Sequence, residues 1–160
     1  MRQLAAGVTI VTTAQGAARA GLTATAVCSV SAEPPQLLAC VNREAEAHSL
    51  LLSSGCLAVN LLAAEQYELA DRFAGRTGVM GEARFEAGSW TTLATGAPVL
   101  EDALASFDCH IATAQEAGTH TIFIARVVGV TVNPGRRPIV YVDGAYGLIE
   151  RLLPPAAEAS

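Results

Sequence analysis

The chain has 160 residues, 51% hydrophobic and only 16% charged, with a net charge of −5. That length suits one domain with a real core, and so apolar a composition predicts surface covered by a partner subunit. An acidic chain without a basic stripe is no binder of phosphate backbones, which excludes nucleic acid.

The four cysteines, Cys28, Cys40, Cys56 and Cys109, lie far apart with no CxxC pair. They read as small buried thiols in a reducing cytoplasm, not as disulfides or a zinc site. No apolar run reaches membrane-spanning length; the longest, Leu50 to Ala64, is broken by Ser53, Ser54, Gly55 and Asn60.

Met1 to Ala6 reads as the tail of a helix stopped at Gly7, so the chain is expected to begin inside a longer first element. Val8–Thr13 is β-branched and predicts the first strand. A signal-peptide reading of Arg2, the apolar Leu4–Val11 and Ala18-Arg19-Ala20 competes with it and fits less well.

From Gly21 the residues alternate. Leu22, Ala24, Ala26, Cys28 and Val30 are expected on one face of a single strand, and Thr23, Thr25, Val27, Ser29 and Ser31 on the other. The second face is uncharged and rich in hydroxyls. It reads either as ordinary exposed sheet or as a wall that lets a flat ligand approach the backbone. After Pro34-Pro35, Gln36–Val41 predicts a return strand that delivers Asn42 and Arg43 to its end, a guanidinium suited to a planar, anionic cofactor.

Glu44–Ser54 has helical spacing, with Gly55 as its cap, and Cys56–Leu62 is a buried strand. Glu65–Ala74 predicts a second helix stopped by Gly75, and residues 75–96 a long excursion with little regular structure. Ala105–Ala114 and Thr121–Val132 predict two strands joined by a turn through Gly118-Thr119-His120. Pro138–Val142 and Ala145–Ile149 predict a hairpin across Asp143-Gly144, and the tail from Leu152 is expected to fray. These elements describe a mainly β chain with inserted helices: one domain over residues 1–150, an antiparallel, Greek-key-like barrel with helical decoration, and a tail over 151–160.

The usual catalytic constellations are missing: no GxSxG elbow, no Walker loop, no HExxH and no GxGxxG after a strand. His48, His110 and His120 do not form a metal-ligand pattern. An enzyme without an evident acid, base or nucleophile relies on a cofactor, so no catalytic side chain and no metal ligand is expected. His120 reads as a rim residue or as a turn histidine bonded to backbone, Arg43 equally as a solvated residue at a helix N-terminus, and Asn42 equally as a helix N-cap. Phe73 suits the core as well as a ligand, and Tyr146 either packs on the barrel or closes a pocket.

GVTIVTT, GLTATAVCSVSAEPPQLLACVNR, LADRFAG and GTHTIFIARV, in that order from about Leu4 to Ile149, resemble the short-chain flavin reductases. That family reduces flavin with NAD(P)H for two-component monooxygenases. The resemblance implies an FMN-binding split barrel, usually a homodimer, holding FMN or FAD and taking hydride from NADH or NADPH to flavin N5. It further implies that Thr23, Thr25, Ala26, Val27 and Ser29 line the ring and ribityl chain. Asn42, Arg43, His48 and Ser49 would sit near the ring edge, ribityl chain or phosphate, and Phe73 and Gly75 would close the pocket. His120 matches the family's nicotinamide-associated Gly-Asp-His histidine, with Thr119 in place of the aspartate. Three other readings stand beside it: a flavin binder without turnover, a flavoenzyme acting directly on an organic substrate, and a flavin-free interaction module.

Overall fold

A computed structural model of the protein describes residues 2–150; the expected C-terminal tail lies outside the described residues. The strands are β1 (Ala6–Gly7), β2 (Thr9–Gln15), β3 (Ala18–Ala24), β4 (Val27–Ala32), β5 (Pro35–Asn42) and β6 (Cys56–Leu61). They continue with β7 (Trp90–Thr92), β8 (Pro98–Leu100), β9 (Ala105–Ala117), β10 (His120–Val132), β11 (Ile139–Val142) and β12 (Ala145–Leu148). Helix α1 (His48–Ser54) lies between β5 and β6, and α2 (Tyr67–Phe73) follows β6.

Seven strands form one antiparallel sheet in the order β3-β2-β6-β9-β10-β5-β4. Its two edges, β3 and β4, are consecutive in the chain and separated only by Thr25 and Ala26. Six inter-strand gaps of about 4.8 Å would hold the edges of a flat sheet about 29 Å apart. The steps from Ala24 to Val27 reach only about 11 Å. The sheet therefore curls until the end of β3 reaches the start of β4, where Cys40 of β5 donates its N–H to the Ala26 carbonyl at 2.9 Å and extends the β4–β5 ladder by one residue.

That crossing corrects the expected single strand over Gly21–Ser31. Ala20, Leu22 and Ala24 of β3 pack into the main core, while Thr23 turns away and donates its hydroxyl to the Ala70 carbonyl of α2 at 2.6 Å. Beyond the crossing, it is Val27 that packs into the main core, opposite Ala39, with Ser29 opposite Leu37. The in–out phase shifts by one residue at Thr25–Ala26. No continuous hydroxyl face forms: Thr23 faces α2, Val27 packs on the core, and Ser29 is exposed.

The main core gathers Val11, Leu37, Val41, Leu51, Val59 and Phe123 inside the curled sheet. A second cluster beneath α2 holds Val8, Ile10, Leu62, Phe73, Phe85 and Leu100. Here Phe73, Phe85 and Trp90 meet at ring separations of 5.0–5.5 Å, close to the edge-on arrangements aromatic rings prefer. Gly21 makes this approach possible, since a Cβ there would lie 2.9 Å from the Phe73 ring.

Other boundaries differ for identifiable reasons. Ala6 and Gly7 pair with Tyr141 and Val140, so the segment expected to end a helix is extended. The first helix begins at His48, not Glu44, because Asn42 captures the backbone first. Its Oδ1 accepts the Glu44 N–H and its carbonyl the Ala45 N–H, both at 3.0 Å, forming a turn. Gly55 caps α1 in the left-handed region as expected, with φ +69°. Asp143 and Gly144 both have positive φ, which matches a two-residue hairpin turn. The excursion over 75–96 contains a 3-10 stretch, Gly81–Glu86, and the strand β7, pinned by Arg72 to the Arg84 carbonyl and by Arg84 to the Gly21 carbonyl.

Asn60, fully buried in β6, ties three strands and the β8 segment together. Its Nδ2 donates to the Ile10 carbonyl at 3.1 Å, and its Oδ1 accepts the Leu100 N–H at 2.8 Å and the Ser106 hydroxyl at 2.9 Å. Asn60→Ala would leave these groups dry and unpaired, and is expected to cost about 2–4 kcal/mol. Urea unfolding midpoints check this; a loss below about 0.5 kcal/mol would contradict the assigned network.

Candidate functional site

The β5 and β10 strands end side by side, with Asn42 directly opposite His120. The turn after β9 closes onto them: Arg43 donates its N–H to the Thr119 carbonyl at 3.0 Å. Thr119 Oγ1 lies 2.8 Å from His120 Nδ1, which fixes that ring against its neighbour. His48, the first residue of α1, is held by a 2.8 Å bond between Nε2 and Thr121 Oγ1, and its ring meets Phe123 edge-on at 5.9 Å. Arg43 Nη1 pairs with Glu116 Oε2 at 3.1 Å.

Asn42, Arg43, Glu44, His48, Gly118 and Thr119 line an open cavity of about 620 Å³ at this rim. The Asn42 oxygen is spent on Glu44, which leaves its amide nitrogen as a donor for a ligand. An amide, a guanidinium, an imidazole and a hydroxyl around one opening form a donor set for a polar, anionic and partly aromatic molecule. This fits a flavin or nicotinamide nucleotide.

The other expected residues fall around this rim at different depths. Ala26 is exposed and adjoins it through its bond to Cys40, two residues before Asn42; Thr25 beside it is half-buried. Ser49 is exposed on α1. Val27 and Ser29 instead line a separate apolar cavity of about 370 Å³ that opens to the surface, with Thr9, Leu37, Phe107 and the exposed Val130. Phe73 is buried in the aromatic trio, and Thr23 is committed to Ala70. Gly75 follows α2 with φ +76°, a conformation that favours glycine.

Tyr146 belongs to a neighbouring knot. Its hydroxyl donates to Asp71 Oδ1 at 2.7 Å, the same oxygen that receives Arg76 at 2.8 Å, and Arg76 also donates to the Tyr141 hydroxyl at 2.9 Å. This fastens the β11–β12 hairpin to α2 and to the chain leaving Gly75.

Sequence reasoning missed Glu116, Thr121, Glu46 and Arg84. Arg84 Nη1 donates to the Gly21 carbonyl at 3.2 Å and lies 3.9 Å from Glu46, so it links the excursion, β3 and the loop before α1. The hairpin register between β9 and β10 was the one signal for Glu116, which sits opposite Thr121. Of the four cysteines expected to be buried, Cys56 and Cys109 are, whereas Cys40 is half-buried and Cys28 exposed; burial, then the neighbouring Asp108, pushes the Cys109 thiol up to about 12 and makes it a poor nucleophile.

The described residues thus form a curled antiparallel sheet with a polar rim that bears a guanidinium and imidazoles. The flavin reductase-like domain model matches residues 1–150, and the chain belongs to that family. It is 49% identical over 149 residues to the FMN reductase (NADH) RutF of Agrobacterium fabrum, covering 93% of this chain and 84% of that one. Among solved structures it resembles BorF, the flavin reductase component of a bacterial two-component tryptophan halogenase. There the TM-score is 0.84 at 37% identity, over 94% of each chain. It also resembles the Streptomyces globisporus NADH:FAD oxidoreductase SgcE6 solved with NAD and FAD fragments. The TM-score is 0.82 at 32% identity, covering 98% of this chain and 90% of that one.

Burial, and next the bond to Asp71, pushes the Tyr146 hydroxyl up to about 12. The unfolded chain would release this proton near pH 10, about where an unperturbed tyrosine titrates. Stability from this group is thus complete below about pH 10 and falls as pH rises toward about 12. Unfolding midpoints taken across this range should decline, and Tyr146→Phe should flatten the decline; equal slopes would refute the linkage.

Proposed function

We propose that the protein is an NADH-dependent flavin reductase, with FMN as the first flavin to test. It would pass reduced flavin to a separate monooxygenase. The observation that carries this reading is the convergence of Asn42, Arg43, His48 and His120 on one open rim in a chain of this family. The names of its relatives, FMN reductase (NADH) and the reductase component of a two-component halogenase, support the choice of donor, acceptor and partner class. FAD and NADPH remain the alternatives to compare.

A bound flavin supplies the hydride acceptor, at N5. The chain's own residues do the rest: Asn42 and Arg43 offer donors to the anionic edge or phosphate, and Thr25 and Ala26 border the same rim. His48 is held rigid by Thr121, and His120, fixed by Thr119, helps seat the nicotinamide. Hydride transfer asks mainly for two rings in near-attack contact, which explains why no proton relay is needed. In this reading Ser49, Phe73, Gly75 and Tyr146 shape the surroundings, and residues 1–150 act as one domain.

The edges brought together at Thr25–Ala26 support a split barrel. Exposed Val30, Val128, Val130 and Val132 beside the apolar cavity support a homodimer that covers them. Four free cysteines suit a reducing cytoplasm.

NADH should be oxidised in air when FMN is supplied, and no flavin-dependent oxidation with either nucleotide would defeat the reading. His120→Ala should raise the KM for NADH several-fold more than that for FMN. An unchanged nicotinamide KM would remove the assigned role.

A further inference from the structure

We propose that Glu116 is a specificity-determining residue that weakens the hold of this rim on phosphate-bearing flavin and so sets how readily flavin leaves. This rests on the flavin-reductase reading above. Among the described residues lining the rim cavity, Arg43 is the only permanent cation. Its guanidinium does not stand alone: Nη1 lies 3.1 Å from Glu116 Oε2 at the end of β9. Glu44, the next residue, lines the same cavity.

Counted together, one cation faces two carboxylates, so the rim carries a net negative charge where a phosphate would arrive. An incoming dianion must pull Arg43 away from Glu116 or share it, and in either case it meets the field of both carboxylates. The two side chains are 45% and 72% exposed, so the pair stabilises the fold little and costs little to break. A weak competitor of this kind tunes residence time without forbidding binding. It suits a protein whose product has to be released, and the backbone already holds Arg43 in place through Thr119.

The test is equilibrium dialysis of the full chain and of Glu116→Gln against FMN and against riboflavin, which has no phosphate. Glu116→Gln should bind FMN about two- to five-fold more tightly, with a matching fall in off-rate and no change for riboflavin. The gain should shrink as salt rises from about 0.05 to 0.5 M. Glu116→Asp should bind FMN within about twofold of the unmodified chain, and the gain should largely disappear in the background of Arg43→Gln. Unchanged FMN affinity in Glu116→Gln, or an equal gain for riboflavin, would overturn the inference while leaving the flavin reading intact. Failure of both proteins to bind either flavin would overturn both.

Discussion

Two residues decide the shape of this protein. Thr25 and Ala26 join strands at opposite edges of a seven-stranded sheet, and so short a link cannot exist unless the sheet curls. Curling gives the chain an inside, where Val11, Val59 and Phe123 pack. It also gives a rim, where strand ends and turns collect. The end of β3 is brought to the start of β4, and there the Cys40 N–H extends the β4–β5 ladder by one bond to the Ala26 carbonyl. Unpaired backbone in that position would be costly, so the bond to Cys40 fixes how the crossing sits.

The rim inherits its precision from these constraints. Asn42 and His120 face each other because β5 and β10 pair in a long, unbroken register from His120 to Arg126. Arg43 is tied to Thr119 by backbone, and His48 to Thr121 by its ring nitrogen, so the end of β5 and the start of α1 are both anchored to a turn that is distant in sequence. Side chains on strand ends and a helix start move less than side chains on a long loop would. The proposed stacking of two flat rings for hydride transfer would require such placement.

Much of this was legible from the residues themselves. Alternation and β-branching located the strands, Gly55 and Asp143-Gly144 marked turns correctly, and the Gly-Thr-His turn pointed to the rim. The break at Thr25–Ala26 was not legible, because the alternation of small residues runs through it with no proline or glycine to signal a change. The one-residue phase shift that separates Thr23 from Val27 and Ser29 therefore stayed hidden. Asn42 was weighed as a helix cap, but it forms a turn of its own and delays the helix to His48. Glu116 could not be paired with Arg43 before the register of β9, β10 and β5 was known, since 73 residues separate the two in sequence.

Trp90 is the only tryptophan of the chain, and it sits within 5.0–5.5 Å of Phe85 and Phe73 where the excursion is seated on the sheet. Its indole nitrogen is bonded to the Ala87 carbonyl at 2.8 Å, so the ring is held within the excursion itself. Any lifting of that segment would wet this indole and shift its emission to longer wavelength. The molecule thus carries a single built-in optical gauge, free of interference from other indoles, for the seating of the segment beside Gly75.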